Sequence, residues 1–261
     1  MSAPASPTIG LGDGVEIPLL GLGTWQASGR AAYDAVRTAL DVGYRHVDTA
    51  TMYRNEEAVG RAIRDSGVPR EEIFVTTKLP SERAGRPRET LDASLRDLGL
   101  ERVDLWLIHW PPDDRARPDV WEAFVAARDA GLARAIGVSN YSPRQIDELS
   151  QATGVTPALN QIRWSPALYD ERTVQAHADR GVVLEGYSPF RAMRMRDRVL
   201  QEIAGRHGAT PYQVVLRWHL EHEIVVIPKS ADAARIAANF DVFGFTLAAD
   251  EVARIDALGH A

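Results

Sequence analysis

Short apolar runs alternate along the chain with longer segments whose apolar residues recur at helical spacing. The runs are PLLGLGTW (18–25), YRHVDT (44–49), IFVTTK (73–78), VDLWLIHW (103–110), RAIGVSN (134–140), ALNQI (158–162), VVLEGYS (182–188) and IVVIPKS (224–230). Most are near-continuous in Val, Ile, Leu and Thr, the pattern of parallel strands covered on both faces. Between them, NEEAVGRAIRDSG predicts a helix with Asn55 as N-cap, acids in its first turn, Val59 and Ile63 on one face and Gly67 as its stop. ETLDASLRDLGL stacks Leu91, Leu95 and Leu98; DVWEAFVAARDAG ends at Gly131; TPYQVVLRWHLEH opens with Thr210 as N-cap and Pro211 at the first helical position.

Eight strand–helix units within 261 residues predict an α/β protein, a closed (β/α)8 TIM barrel forming a single domain over residues 1–261. Before the first unit, TIGLGDGVEIPLL predicts a β-hairpin with Asp13-Gly14 at its turn, placed to plug the bottom of the barrel. DRVLQEIAGRHG (197–208) and LAADEVARIDAL (247–258) predict two extra helices.

Composition narrows the function. Acidic residues (36) outnumber Lys and Arg (30), and a net charge of −6 disfavours nucleic-acid binding, which needs clustered basic residues. The absence of cysteine excludes disulfides, a cysteine nucleophile and thiolate metal sites. No leader-like N-terminus and no bilayer-length apolar run is read, so a cytoplasmic protein with no membrane partner is expected.

The runs end in Thr24-Trp25, Asp48, Lys78, His109-Trp110, Ser139-Asn140, Gln161, Tyr187-Ser188 and Lys229-Ser230. In a parallel barrel these ends meet at one mouth, where barrel active sites are built. One acid, one base, one imidazole and several amide and hydroxyl groups would converge there. A tyrosine is a poor acid at neutral pH, and a nearby ammonium lowers its pKa. Asp48 would keep a buried Lys78 charged, Lys78 would acidify Tyr53, and a neutral His109 would orient a carbonyl oxygen. That set suits proton delivery to an oxygen gaining negative charge.

No metal cluster is read: HLEHE (219–223) falls on a helix end expected to be solvated, and His46, inside a strand, is expected to be structural. GVSNY and GYSPF lack the second glycine of G-x-S-x-G, GLGTWQ lacks the third of G-x-G-x-x-G, and there is no P-loop. IPKSADAARIAANF (227–240) does close the last strand and open a helix with Lys229, Ser230, Arg235 and Asn239, a phosphate-binding arrangement.

GYRHVDTATMYRNE, FVTTK, WLIHWP, IGVSNY, LNQI, GYSP and IPKS…RI..NF together resemble, in order and spacing, the motifs of aldo-keto reductases, in particular the small bacterial 2,5-diketogluconate reductase-like members. The resemblance implies an NADPH-dependent oxidoreductase reducing aldehydes and ketones to alcohols, with Tyr53 as general acid and Asp48, Lys78 and His109 completing a tetrad. It implies cofactor contacts from Thr24, Trp25, Asp48, Ser139, Asn140, Gln161, Tyr187 (stacked on the nicotinamide), Ser188, Phe190, Lys229, Ser230, Arg235 and Asn239. It implies a substrate pocket of Trp25, Met52, Tyr53, His109 and Trp110, a small-molecule carbonyl substrate, no metal and a monomer.

Several positions depart from that pattern. Leu79-Pro80 stands where Leu-Trp is common, removing one aromatic wall. NQIRWSP replaces a segment that usually carries Glu and His, leaving Arg163, Trp164 and Ser165 without a role; Ala238 replaces a Glu. Asp232 would repel a 2′-phosphate weakly, so NADH tolerance beside NADPH is expected. The short segment between Tyr187 and the extra helix predicts quick cofactor exchange, and the short tail an open site with broad substrate preference. Two other readings remain: a Schiff-base barrel aldolase using Lys78, disfavoured because that lysine must be neutral, and a nicotinamide-binding regulatory protein on the same scaffold, disfavoured because the tetrad is intact.

Overall fold

The computed structural model describes residues 6–260. Its first two strands, β1 (Thr8–Gly10) and β2 (Glu16–Pro18), form an antiparallel hairpin with Ile9 opposite Ile17. Ile17 and Leu20 are fully buried, so the hairpin seals apolar surface at the entry to the first barrel strand. Then follow β3 (Leu22–Gly23), β4 (His46–Asp48), β5 (Phe74–Leu79), β6 (Val103–Ile108), β7 (Ala133–Ser139), β8 (Leu159–Arg163), β9 (Val183–Tyr187) and β10 (Val225–Ile227). All eight pair in parallel, in sequence order.

Parallel bridges Leu20↔Val226 and Gly23↔Lys229 close the sheet into a barrel. Closure explains two glycines. A Cβ on Gly23 would lie 2.9 Å from the Ile227 carbonyl oxygen, and one on Gly21 would lie 2.4 Å from the His46 ring. The helices are α1 (Gly29–Val42), α2 (Glu56–Asp65), α3 (Pro87–Leu98), α4 (Pro118–Asp129), α5 (Pro143–Thr153), α6 (Glu171–Ala178), α7 (Arg198–His207), α8 (Pro211–Glu221), α9 (Ala233–Phe240) and α10 (Ala249–Asp256). The two extra helices expected from the sequence are α7 and α10. No helix among the described residues is long and apolar enough to cross a membrane.

Local signals held where they depend on neighbours in the chain. Thr210 caps α8 in a reciprocal box with Gln213, and Pro211 takes the first helical position. They failed where tertiary contacts compete. Asn55 stands at the N-cap of α2 but its side chain makes no capping bond. Instead Thr49 Oγ1 donates to Asn55 Oδ1 (2.6 Å), and Asn55 Nδ2 donates to the carbonyls of Thr24 (3.0 Å) and Ala27 (2.8 Å). The residue therefore ties the β3 and β4 loops together.

The HLEHE segment also corrects the expectation of a solvated helix end. His219 is fully buried on α8, its Nδ1 2.8 Å from the Val215 carbonyl, and His222 Nε2 lies 2.9 Å from Asp256 on α10. Burial pushes His219 down to about 4. Its folded pKa thus lies below the ordinary histidine value, and the unfolded chain takes up the proton first as pH falls. Stability should decline from about pH 6.5 towards pH 4, by up to ~1.4 kcal/mol per pH unit through this residue. Urea unfolding over that range should show a shallower decline in His219→Leu than in the native chain; parallel pH profiles would refute the assignment.

Candidate active site

β4 and β5 are neighbours, and their last interior positions bring Asp48 and Lys78 together. Lys78 is fully buried, and its Nζ donates to Asp48 Oδ1 and Oδ2, both at 2.6 Å, and to the Thr49 carbonyl at 2.9 Å. Burial alone would strip the Lys78 proton. The Asp48 carboxylate more than offsets this and raises the pKa above the ordinary lysine value. Asp48 in turn accepts from Gln161 Nε2 at 2.9 Å.

Tyr53 ends a short 3-10 turn, Thr51–Tyr53, held from both sides. Thr51 Oγ1 donates to the Lys78 carbonyl (2.9 Å), and the Asn55 bonds fix the far end. The Lys78 ammonium lies 5.2 Å from the centre of the Tyr53 ring, and the His109 ring meets Tyr53 edge-on at 5.7 Å. The expectation that Lys78 lowers the Tyr53 pKa needs correcting. Burial raises it, Lys78 pulls it down only partly, and Asp48 pushes it up again, so the net shift is upward. Tyr53 is held protonated rather than made strongly acidic. Burial, and then the Lys78 charge, pushes His109 down to about 3, so its imidazole is neutral. Its Nδ1 is buried without a partner, which leaves Nε2 as the ring nitrogen that can face the cavity.

These groups border a cavity of about 300 Å3 lined by Trp25, Asp48, Met52, Tyr53, His109, Trp110, Ser139, Asn140, Gln161, Arg163, Tyr187, Ser188, Arg191 and Lys229. Trp25, Met52 and Trp110 are 46%, 50% and 49% exposed, an apolar rim that marks a ligand site. The wall opposite is a hydrogen-bond chain. Tyr187 donates to Asn140 Oδ1 (2.9 Å), Asn140 Nδ2 donates to Ser139 Oγ (2.9 Å), and Ser139 donates to the Gln161 carbonyl (2.8 Å).

A second cleft of about 650 Å3 is lined by Phe190, Tyr212, Lys229, Ser230, Asp232, Arg235 and Asn239. Lys229 borders both spaces. Two exposed cations, Lys229 and Arg235, and the hydroxyl of Ser230 suit a phosphate there, and Asn239 an adjoining base. Asp232 caps α9 by accepting from the Arg235 amide at 2.9 Å, and its carboxylate lies 3.7 Å from the Arg235 guanidinium. An amide-lined cavity joined to a cationic cleft fits a phosphorylated dinucleotide laid across the mouth.

Of the expected cofactor residues, Thr24 lies away from both spaces, while Phe190 lies in the second. Thr24 is buried and donates to the Asp48 carbonyl at 2.9 Å. Phe190 is edge-on to Tyr212 at 5.1 Å. The unassigned trio divides: Arg163 faces the cavity, Trp164 packs into the apolar cluster around Trp218, and Ser165 Oγ donates to the Arg191 carbonyl (3.4 Å). Sequence reasoning missed Glu185, fully buried on β9, whose only signal was a carboxylate inside an apolar run.

A family model described as Aldo/keto reductase family matches residues 19–260. Methylglyoxal reductase DkgA of Escherichia coli K12 is 42% identical, covering 96% of this chain and 93% of the relative. The 2,5-diketo-D-gluconic acid reductase B of a Corynebacterium species is 44% identical, over 98% and 94%. Among solved structures, the Bombyx mori aldo-keto reductase in complex with NADP superposes with a TM-score of 0.93 at 36% identity, covering 98% of this chain and 94% of that one.

The Lys78–Asp48 pair yields a direct test. Lys78→Met would leave a buried carboxylate without its counter-charge and should cost about 3–5 kcal/mol of unfolding free energy. Adding Asp48→Asn should recover most of it. A loss in the single variant below about 1 kcal/mol in urea titrations would show that the pair is not a desolvated ion pair.

Proposed function

We infer the reaction from a chain that belongs to the aldo/keto reductase family and is an NADPH-dependent oxidoreductase that reduces carbonyl compounds to alcohols. The roles of its residues are our proposal. The observation that carries it is the buried Lys78, paired to both oxygens of Asp48 beneath the Tyr53 ring. When bound, the nicotinamide supplies the hydride to the carbonyl carbon.

Tyr53 donates its proton to the carbonyl oxygen as negative charge develops there, and the Lys78 ammonium stabilises the phenolate left behind. Neutral His109 hydrogen-bonds the same oxygen and orients it. Ser139, Asn140 and Gln161 hold the carboxamide, Tyr187 stacks on the ring, and Ser188 lies towards the diphosphate. Lys229, Ser230 and Arg235 grip the 2′-phosphate, with Asn239 at the adenine. A charged, ion-paired Lys78 argues against Schiff-base chemistry. We propose one barrel domain acting as a cytoplasmic monomer.

Tyr53→Phe should lower kcat for NADPH-driven aldehyde reduction by about a hundredfold or more. The same assay with NADH tests Asp232: we expect NADPH to be preferred but NADH accepted. Unchanged turnover in the variant would sink the acid assignment, and a preference above about a thousandfold would remove Asp232 as a moderator.

The finer reading is a carbonyl substrate that carries an acid group. Of the two relatives, one is named for a neutral ketoaldehyde and the other for a keto acid. Arg163 and Arg191 both line the cavity, next to Tyr187, and form no ion pair among the described residues. Arg163→Ala should raise KM for a keto acid roughly tenfold while leaving a neutral aldehyde nearly unchanged. Equal effects on both would reject the anionic preference.

A further inference from the structure

Glu185 lies in the barrel interior, fully buried, with no part in the mechanism above. Its Cα is the register partner of Gln161 across the β8–β9 pair. The two side chains meet: Gln161 Nε2 donates to Glu185 Oε2 at 3.0 Å, while the same nitrogen donates to Asp48 Oδ2 at 2.9 Å. An amide nitrogen carries two hydrogens. Both are therefore committed to carboxyl oxygens beneath the cavity floor, and neither can reach a ligand.

The nitrogen and oxygen of this amide are not interchangeable here. Asp48, ionised beside Lys78, can only accept, so the Gln161 atom facing it must be the donor. That leaves the side-chain oxygen Gln161 Oε1 as the atom available to the cavity it lines, the backbone carbonyl being the one that accepts from Ser139. A carbonyl oxygen can only accept, so whatever meets it must donate.

We propose that Glu185 is a positioning residue that, with Asp48, clamps the Gln161 amide so that the nucleotide site demands a hydrogen-bond donor on the carboxamide of the nicotinamide. The inference rests on the reading that Gln161 meets that carboxamide. Asp48 alone would hold one amide hydrogen and leave the group free to swing about that bond; the second contact removes the freedom. Burial, and then the Asp48 charge, pushes Glu185 up to about 8, so at neutral pH it is an uncharged acid whose oxygen accepts from Gln161. Of the other groups around it, Lys78 is held by Asp48, and His46 Nε2 lies 3.9 Å from Glu185 Oε1, beyond a hydrogen bond. An uncharged Glu185 has a close isostere in glutamine.

The test measures dissociation constants, by fluorescence quenching, for NADP+ and for its 3-acetylpyridine analogue, in which a methyl group replaces the donor NH2. The native chain should bind the analogue about tenfold more weakly, because a buried acceptor is left unpaired. Glu185→Leu should weaken NADP+ binding and shrink that discrimination to below about threefold, whereas Glu185→Gln should keep both within about threefold of native. Native-like affinity and discrimination in Glu185→Leu would overturn the proposal. So would a native chain that binds both nucleotides equally, an outcome that needs no variant to fold. Gln161→Leu separates the two levels of argument. If it leaves NADP+ binding and discrimination intact, the reading of Gln161 fails; if it abolishes discrimination while Glu185→Leu does not, only the role of Glu185 fails.

Discussion

The buried ion pair between Lys78 and Asp48 is the constraint around which the mouth of this barrel is organised. Removing two charges from water is expensive, and it is tolerated only where good geometry and further hydrogen bonds satisfy what remains. Here Lys78 reaches both carboxylate oxygens and a backbone carbonyl, and Asp48 also accepts from Gln161 on the far side of the barrel. Those partners come from β4, β5 and β8, so the pair is complete only when the sheet has closed. Closure depends on Gly21 and Gly23, where any side chain would strike His46 or the Ile227 carbonyl.

The pair sets the state of its neighbours. Burial, reinforced by its positive end, keeps His109 neutral; the same positive end partly relieves the burial of Tyr53; and burial, reinforced by its negative end, holds Glu185 uncharged. Two paired charges, one proton donor, one neutral imidazole and one neutral acid thus coexist within a few side-chain lengths. Their protonation states are pushed apart by environment rather than by residue type, the usual means by which one site assigns acid and base roles. Tyr53 belongs to this set without being on a strand. Its turn is pinned by Thr51 to the Lys78 carbonyl and by Asn55 to the loops after β3 and β4, so its position is inherited from the same strands that carry the ion pair.

Much of this was legible along the chain. The eight runs fall on the eight barrel strands; Asp48, His109 and Tyr187 lie at or just beyond strand ends, and Lys78 and Gln161 within the last three strand residues, because a parallel barrel converts regular strand spacing into one shared mouth. The cap at Thr210 was readable because it involves residues three apart. Asn55 carried the same local signal, yet its side chain serves contacts with residues 24 and 27, remote in sequence. His222 looked like a solvated helix-end histidine only because its partner Asp256, on α10, is encoded some thirty residues later. Glu185 left almost no trace: a lone carboxylate in an apolar strand has meaning only once Gln161 and Asp48 are known to share its neighbourhood.

The sequence by itself determined what depends on periodicity and on order: the strand–helix repeat, the barrel, the residues at its mouth and the family to which the chain belongs. The tertiary structure alone decided what depends on distance and desolvation. It settled which groups are charged, the net direction of the Tyr53 shift, the hydrogen bonds of Thr24, Asn55 and Gln161, and the sharing of Lys229 between two clefts. The division has one physical cause. Local pattern is written in short-range backbone and side-chain preferences, whereas protonation and hydrogen-bond allocation arise from the low-dielectric interior that forms only when distant segments meet.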